Sequence, residues 1–225
     1  NTSSDGIPQS FVDETIVVSL DNEAAVKQAF AEFKDQIAGV IIEPIPANNG
    51  LLLQRKEYLQ FLRDICTENK TLLIFDEVIN GFRIGFTGAA GYYGIQPDII
   101  TYGKIIGGGL PVGMYGSSAE IMRSISPEGN VYQAGTLSGN PVAMAAGIAQ
   151  LTECLKPDFY HNLELKTKFL IDQIFSHIGS TASLLKIFSI GSIFWIAFTD
   201  KDVVRTAEAI DADSMKYFRI LHKEL

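Results

Sequence analysis

The spacing of apolar residues changes several times along this chain, and each change predicts an element. From Asn22 to Asp35, Ala25, Val26, Ala29, Phe30 and Phe33 recur at helical spacing. Residues 39–45 are a continuous apolar run, read as a strand that ends at Pro44, Pro46 and the turn Asn48-Asn49-Gly50. Lys56–Asn69 returns to the helical period and predicts an amphipathic helix burying Leu59, Leu62, Ile65 and Cys66. Thr71–Phe75 predicts a second buried strand, and strand, helix and strand in that order imply a parallel sheet. Shorter strands are predicted at 17–20 and 111–116 and a short helix at 119–125, while the small, polar residues 1–12 read as a loop. Asn140-Pro141 opens a helix of small residues, with proline suited to its first turn. Past Lys156-Pro157 the pattern changes to a helix over 158–178, strands over 184–190 and 193–198 around Gly191, and a helix over 212–225. The reading is therefore α/β, with residues 1–156 belonging to a large domain and 157–225 to part of a smaller α+β one.

In open α/β sheets ligands bind beyond the carboxyl ends of the strands, and Glu43, Asp76 and Lys104 all fall at or just past such ends. Asp76 closes Leu72-Leu73-Ile74-Phe75, and Lys104 sits between Gly103 and the cluster Gly107-Gly108-Gly109. One amine and one carboxylate so placed suit pyridoxal phosphate chemistry. The amine can form a Schiff base with the cofactor aldehyde, and the carboxylate can keep the pyridine nitrogen protonated. A cap or surface ion pair would explain Asp76 alone, and a flexible turn the glycines alone, but neither explains the pair. A nucleotide hydrolase reading needs a Gly-x-x-x-x-Gly-Lys-Ser/Thr loop, and Lys104 is followed by Ile105. A dinucleotide fingerprint wants glycine or alanine where Val112 stands. Gly135, Thr136, Ser138 and Gly139 precede a predicted helix, where they suit a phosphate cradle or a plain capping turn equally well.

Composition narrows the partners. With 47% hydrophobic and 20% charged residues among 225, the chain has enough apolar material for a substantial core. A net charge of −8 argues against nucleic acid and anionic membranes, which need basic surface. Cys66 and Cys154 both fall on predicted buried helix faces, which suits reduced thiols and a cytoplasmic setting. A removed organelle-targeting segment stays open, because Asn1 is not an initiator methionine. His161, His177 and His222 lack metal-ligand spacing, so no metal site is expected.

Asp76-Glu77-Val78, Gly81-Phe82-Arg83, Pro97-Asp98 and Thr101-Tyr102-Gly103-Lys104 resemble, in order and spacing, the class III pyridoxal-phosphate-dependent aminotransferases. The runs 43–50, 103–113 and 132–141 resemble the family's aminomutase branch most closely. The resemblance implies the fold type I of pyridoxal-phosphate-dependent transferases, with a mainly parallel sheet in an incomplete large domain. By the same resemblance Lys104 is the Schiff-base lysine, Asp76 the ring-nitrogen partner, Val78 the residue under the ring and Asn48 the donor to its phenolic oxygen. Thr136, flanked by Gly135, would reach the phosphate of a neighbouring subunit, which implies a homodimer with shared sites. The activity implied is isomerisation of glutamate 1-semialdehyde to 5-aminolevulinate for tetrapyrrole synthesis, with pyridoxal and pyridoxamine phosphate alternating. The alternatives are an aminotransferase acting between an amine donor and a keto acid, or an inactive fragment of such an enzyme. Ile79 and Asn48 favour the aminomutase branch, and Asn80 departs from the small hydroxyl residue expected before Gly81.

Overall fold

The computed structural model describes residues 4–179 and 184–224. Its main sheet has four strands in the order β1 (Gly39–Ile42), β2 (Leu72–Asp76), β3 (Ile99–Tyr102) and β4 (Met114–Ser117). β1, β2 and β3 are parallel, with Ile42 opposite Phe75 and Asp76 opposite Thr101. β4 runs antiparallel to β3, Thr101 facing Tyr115. Residues 103–113 join those two strands without a crossover helix, and so short a link returns the chain antiparallel.

Helices α2 (Glu23–Glu32) and α3 (Lys56–Glu68) bring Val26, Phe30, Leu59, Leu62 and Cys66 into one core with Leu73 and Phe75 of β2. The buried positions expected of α3 are buried, joined by Tyr58. The opposite face of the sheet is less covered. Residues 39–45 were expected to be a continuous apolar strand and 71–75 a buried one, yet the first strand ends at Ile42, Ile41 is 65% exposed, and burial along β2 alternates. The apolar run thus serves one packed face here, and a second apolar face stands open.

Two local expectations fail. Residues 17–20 form no strand: Val17 is 87% exposed, while Val18 and Leu20 lean on the core without a ladder partner. β-branched residues favour extended backbone, but a strand also needs a neighbouring edge. Within the predicted opening loop lies a short helix, α1 (Gln9–Asp13), in which the Gln9 side chain donates to Asp13 at 2.7 Å. Residues 1–3 of that loop and residue 225 of the last predicted helix lie outside the described residues.

Helix α4 (Gly88–Tyr93) was not foreseen, and its cap explains why. Glu77 is fully buried and accepts hydrogen bonds from the backbone N–H groups of Ala89 at 2.7 Å and Ala90 at 2.8 Å. The capping carboxylate comes from the residue after β2, so no local signal precedes the helix. Burial pushes the Glu77 carboxyl up, against the downward pull of those two donors. Gly88, at φ +61, keeps its α-carbon against that carboxylate; a Cβ there would lie 1.9 Å from Glu77 Oε2.

After α5 (Ala119–Met122), helix α6 (Pro141–Cys154) begins as expected, with Pro141 in its first turn and Asn140 capping Val142 and Ala143. Helix α7 (Phe159–Ile178) follows, then a two-stranded antiparallel sheet of β5 (Leu185–Ile190) and β6 (Ile193–Phe198) turning at Gly191, and helix α8 (Ser214–Glu224). Phe188, Ile190, Ile193 and Trp195 pack against the main core. Both cysteines are buried and free, and burial holds the Cys66 thiol up at about 11.

Candidate active site

The site grows out of the carboxyl ends of three adjacent strands. Asp76 is the last residue of β2. Its Oδ1 accepts from the Val78 N–H at 3.0 Å and from the Thr101 hydroxyl at 3.3 Å. Both bonds fall on one oxygen, and Oδ2 has no hydrogen-bond donor among the described residues. The carboxylate is therefore aimed by its own turn and by the neighbouring strand, with one oxygen left for a ligand.

Lys104 follows β3 and starts a single 3-10 turn, Lys104–Gly107. Its φ is +47, a left-handed conformation that a residue with a side chain adopts only where its surroundings impose it. The side chain is exposed and forms no ion pair among the described residues. Val78 links the two groups. A Cβ on Gly103 would lie 3.1 Å from Val78 Cγ1, so glycine there leaves room for the valine methyls against the residue that precedes the lysine.

The turn holding Lys104 is braced from behind by α6. A Cβ on Gly147 would meet the Ile106 carbonyl oxygen at 2.3 Å, and one on Gly108 (φ +56) would meet that of Ala146 at 2.5 Å. Backbone packs on backbone here. Gly147→Ala should push helix and turn apart and cost about 1–3 kcal/mol of stability, as overpacking of a filled site does. Chemical denaturation measures this, and an unchanged midpoint would show that the turn does not depend on the helix.

The structure places Asp76 at the end of β2, Val78 two residues on, and Lys104 in the turn after the adjacent strand β3. Asn48 lies exposed in the loop after β1 and, among the described residues, makes no hydrogen bond to Asp76 or Lys104. Gly135 and Thr136 stand on an exposed loop ahead of α6, likewise unbonded to them. That loop is tight: the Ser138 N–H donates to the Gly135 carbonyl at 2.9 Å, and a Cβ on Gly135 would sit 2.7 Å from Ser138 Oγ. The expected contribution of the α6 N-terminus is reduced, because Asn140 Oδ1 already accepts from Val142 at 3.1 Å and Ala143 at 3.2 Å. Any anion held there would rely on the amides of the loop itself.

Sequence reasoning left Thr101 and Asn80 out of the site. Asn80 is fully buried, and its Nδ2 donates to the Ile45 carbonyl at 3.0 Å, tying the turn after β2 to the loop after β1. A hydroxyl would be too short for that reach. Gly81 is required beside it, since a Cβ would lie 2.5 Å from the Tyr102 ring. An unpaired amine and a half-free carboxylate flank small apolar groups on neighbouring strand ends. This donor set fits a flat, protonated heteroaromatic ring bearing a carbonyl.

The scaffold is α/β, and the chain belongs to the class-III aminotransferase family, whose model matches residues 8–218. A glutamate-1-semialdehyde 2,1-aminomutase from Hydrogenobaculum sp. (strain Y04AAS1) is 45% identical over 223 residues, which are 97% of this chain and 52% of that protein. Among solved structures, an omega-transaminase from Sphaerobacter thermophilus superposes with a TM-score of 0.85 at 29% identity, over 98% of this chain and 51% of its own. A transaminase with PLP bound gives 0.82 at 27%, over 98% and 52% respectively. The fold is thus that of the pyridoxal-phosphate-dependent transaminases. The chain spans about half the length of the curated relatives it matches.

Proposed function

We propose that this chain carries the lysine-bearing part of a pyridoxal-phosphate-dependent isomerase that converts glutamate 1-semialdehyde to 5-aminolevulinate. The observation that carries the proposal is the convergence of Asp76, Val78 and Lys104 on adjacent strand ends. The aminomutase name of relatives near 45% identity supports the choice of substrate. Bound pyridoxal phosphate supplies an aldehyde and an electron-withdrawing ring. Lys104 is the covalent anchor and the proton carrier at the reacting carbons. Asp76 Oδ2 holds the proton on the ring nitrogen, Val78 supports the ring face, and Asn48 donates to the phenolic oxygen. The decisive test supplies the full-length protein with glutamate 1-semialdehyde and no keto acid. Formation of 5-aminolevulinate supports the isomerase. Turnover only on addition of a keto acid supports an intermolecular aminotransferase, the reading suggested by the transaminase neighbours.

The same proposal has residues 1–156 contributing to the large domain, residues 157–225 to a smaller one, and two copies sharing their sites in a cytoplasmic homodimer. Tyr132 is 82% exposed, and Leu137, Val142 and Ile148 on the same loop and helix are exposed as well, apolar surface of the kind a partner subunit covers. No described helix is long and apolar enough to cross a membrane. In the dimer, Thr136 would donate to the cofactor phosphate of the other subunit. Thr136→Val should weaken cofactor binding by about 1–3 kcal/mol, the cost of a lost hydrogen bond to a charged group. Equilibrium dialysis measures the change, and undiminished affinity would remove Thr136 from the site.

A further inference from the structure

Asn48 is carried by a loop that is fixed at its base and bare at its tip. The Leu52 N–H donates to the Pro46 carbonyl at 2.8 Å and closes the loop, and Leu51 and Leu52 are buried. Asn48 and Asn49 at the tip are exposed, and neither side chain makes a hydrogen bond among the described residues. Gly50, at φ +91, is the joint between this tip and the buried Leu51. Glycine enters that region without steric cost and leaves it as readily, so the joint swings freely unless a neighbour confines it.

Trp195 of β6 is that neighbour. A Cβ on Gly50 would lie 3.3 Å from Cη2 and Cζ2 of the indole and 3.4 Å from Cε2, so the backbone at the joint rests against the outer ring. The tryptophan is itself held in place. It stands opposite Phe188 in the register of β5 and β6, and the two rings stack with centroids 5.4 Å apart and planes 25° from parallel. The hairpin is also secured at its turn, where the Ser192 hydroxyl donates to the Arg83 carbonyl at 3.0 Å. A wall fixed at several points thus meets the one free joint of the Asn48 loop.

We infer that Trp195 is a positioning residue: by walling the Gly50 joint it sets where the Asn48 amide stands for the cofactor's phenolic oxygen. This rests on the cofactor reading above and adds to it a contribution from the β5–β6 hairpin, which carries no residue of the proposed chemistry. Shape rather than polarity makes the contact, since the indole N–H has no acceptor among the described residues. Cζ2 and Cη2, the atoms nearest the joint, belong to the part of the indole that a phenylalanine ring does not reach.

The test uses the full-length protein loaded with pyridoxal phosphate. Two quantities are read: the cofactor dissociation constant and the pH midpoint of the visible absorption band. Trp195→Phe keeps an aromatic ring against Phe188, so the hairpin stays folded, but falls short of Gly50. It should weaken binding about fivefold and displace the midpoint in the same direction as Asn48→Ala, which removes the amide outright and should cost about tenfold. Because both act through one amide, the double variant should be no worse than Asn48→Ala alone. Ser192→Ala controls for a general loosening of the hairpin. It cuts the tie to Arg83 and spares the Gly50 contact, so affinity should stay within about twofold of wild type, with an unmoved midpoint. Three results would each overturn the inference while leaving the cofactor reading intact: wild-type behaviour of Trp195→Phe beside a displaced Asn48→Ala, losses that multiply in the double variant, or a Ser192→Ala midpoint displaced as far as that of Trp195→Phe. An Asn48→Ala protein that binds and titrates like wild type overturns the assignment of Asn48 and the inference with it.

Discussion

Lys104→Ala should give a protein that folds normally yet can no longer be tagged by its cofactor. In wild type, borohydride reduction in the presence of pyridoxal phosphate should fix the cofactor's mass on the peptide containing Lys104. In the variant no peptide should gain that mass, and turnover should fall by about a thousandfold or more, as expected when a proton-transferring group is removed. The fold should survive because lysine and alanine both carry a Cβ, so the φ of +47 is no harder for one than for the other. Lys104 also makes no ion pair among the described residues whose loss would be felt elsewhere. Stoichiometric labelling at another lysine would refute the assignment.

How far this site was legible in the sequence differs from residue to residue. Lys104 and Asp76 were singled out because a strand end is a local signal: Asp76 closes an apolar run, and Lys104 follows one through Gly103. Val78 and Asn48 came from family resemblance, and only Val78 is tied by geometry to the lysine turn, through Gly103. Asn80 was read as an oddity because its partner, the Ile45 carbonyl, lies on another strand's loop. Helix α4 was missed for a similar reason, its cap coming from Glu77 rather than from its own flank. The false strand at 17–20 shows the converse: propensity was present and a pairing edge was not.

Asp76→Asn should produce the second large loss, and the atoms involved make it a clean one. The bonds from Val78 and Thr101 both end on Oδ1, which the amide retains, so stability should stay within ~1 kcal/mol of wild type. What changes is the other oxygen. A neutral amide cannot hold a proton on a pyridine nitrogen as a carboxylate does, and the charge-assisted bond to the ring is lost. Turnover should drop by about two to four orders of magnitude while cofactor still attaches at Lys104. Near-normal turnover in a well-folded Asp76→Asn protein would dismiss the carboxylate from the chemistry.

Asp76 and Glu77 are adjacent, and their division of labour has a dynamic consequence. A six-residue helix in isolation would fray continually, and its first amides would exchange with solvent within moments. In α4 the amides of Ala89 and Ala90 are held instead by a buried side chain rooted at the end of β2. They can be released only when Glu77 moves, and Glu77 cannot move without disturbing Asp76. Deuterium uptake at Ala89 and Ala90 should therefore track uptake along β2 rather than that of the surface helices, as a single cooperative opening unit. Slow exchange in a short helix would report, from outside the pocket, how long the carboxylate stays in place.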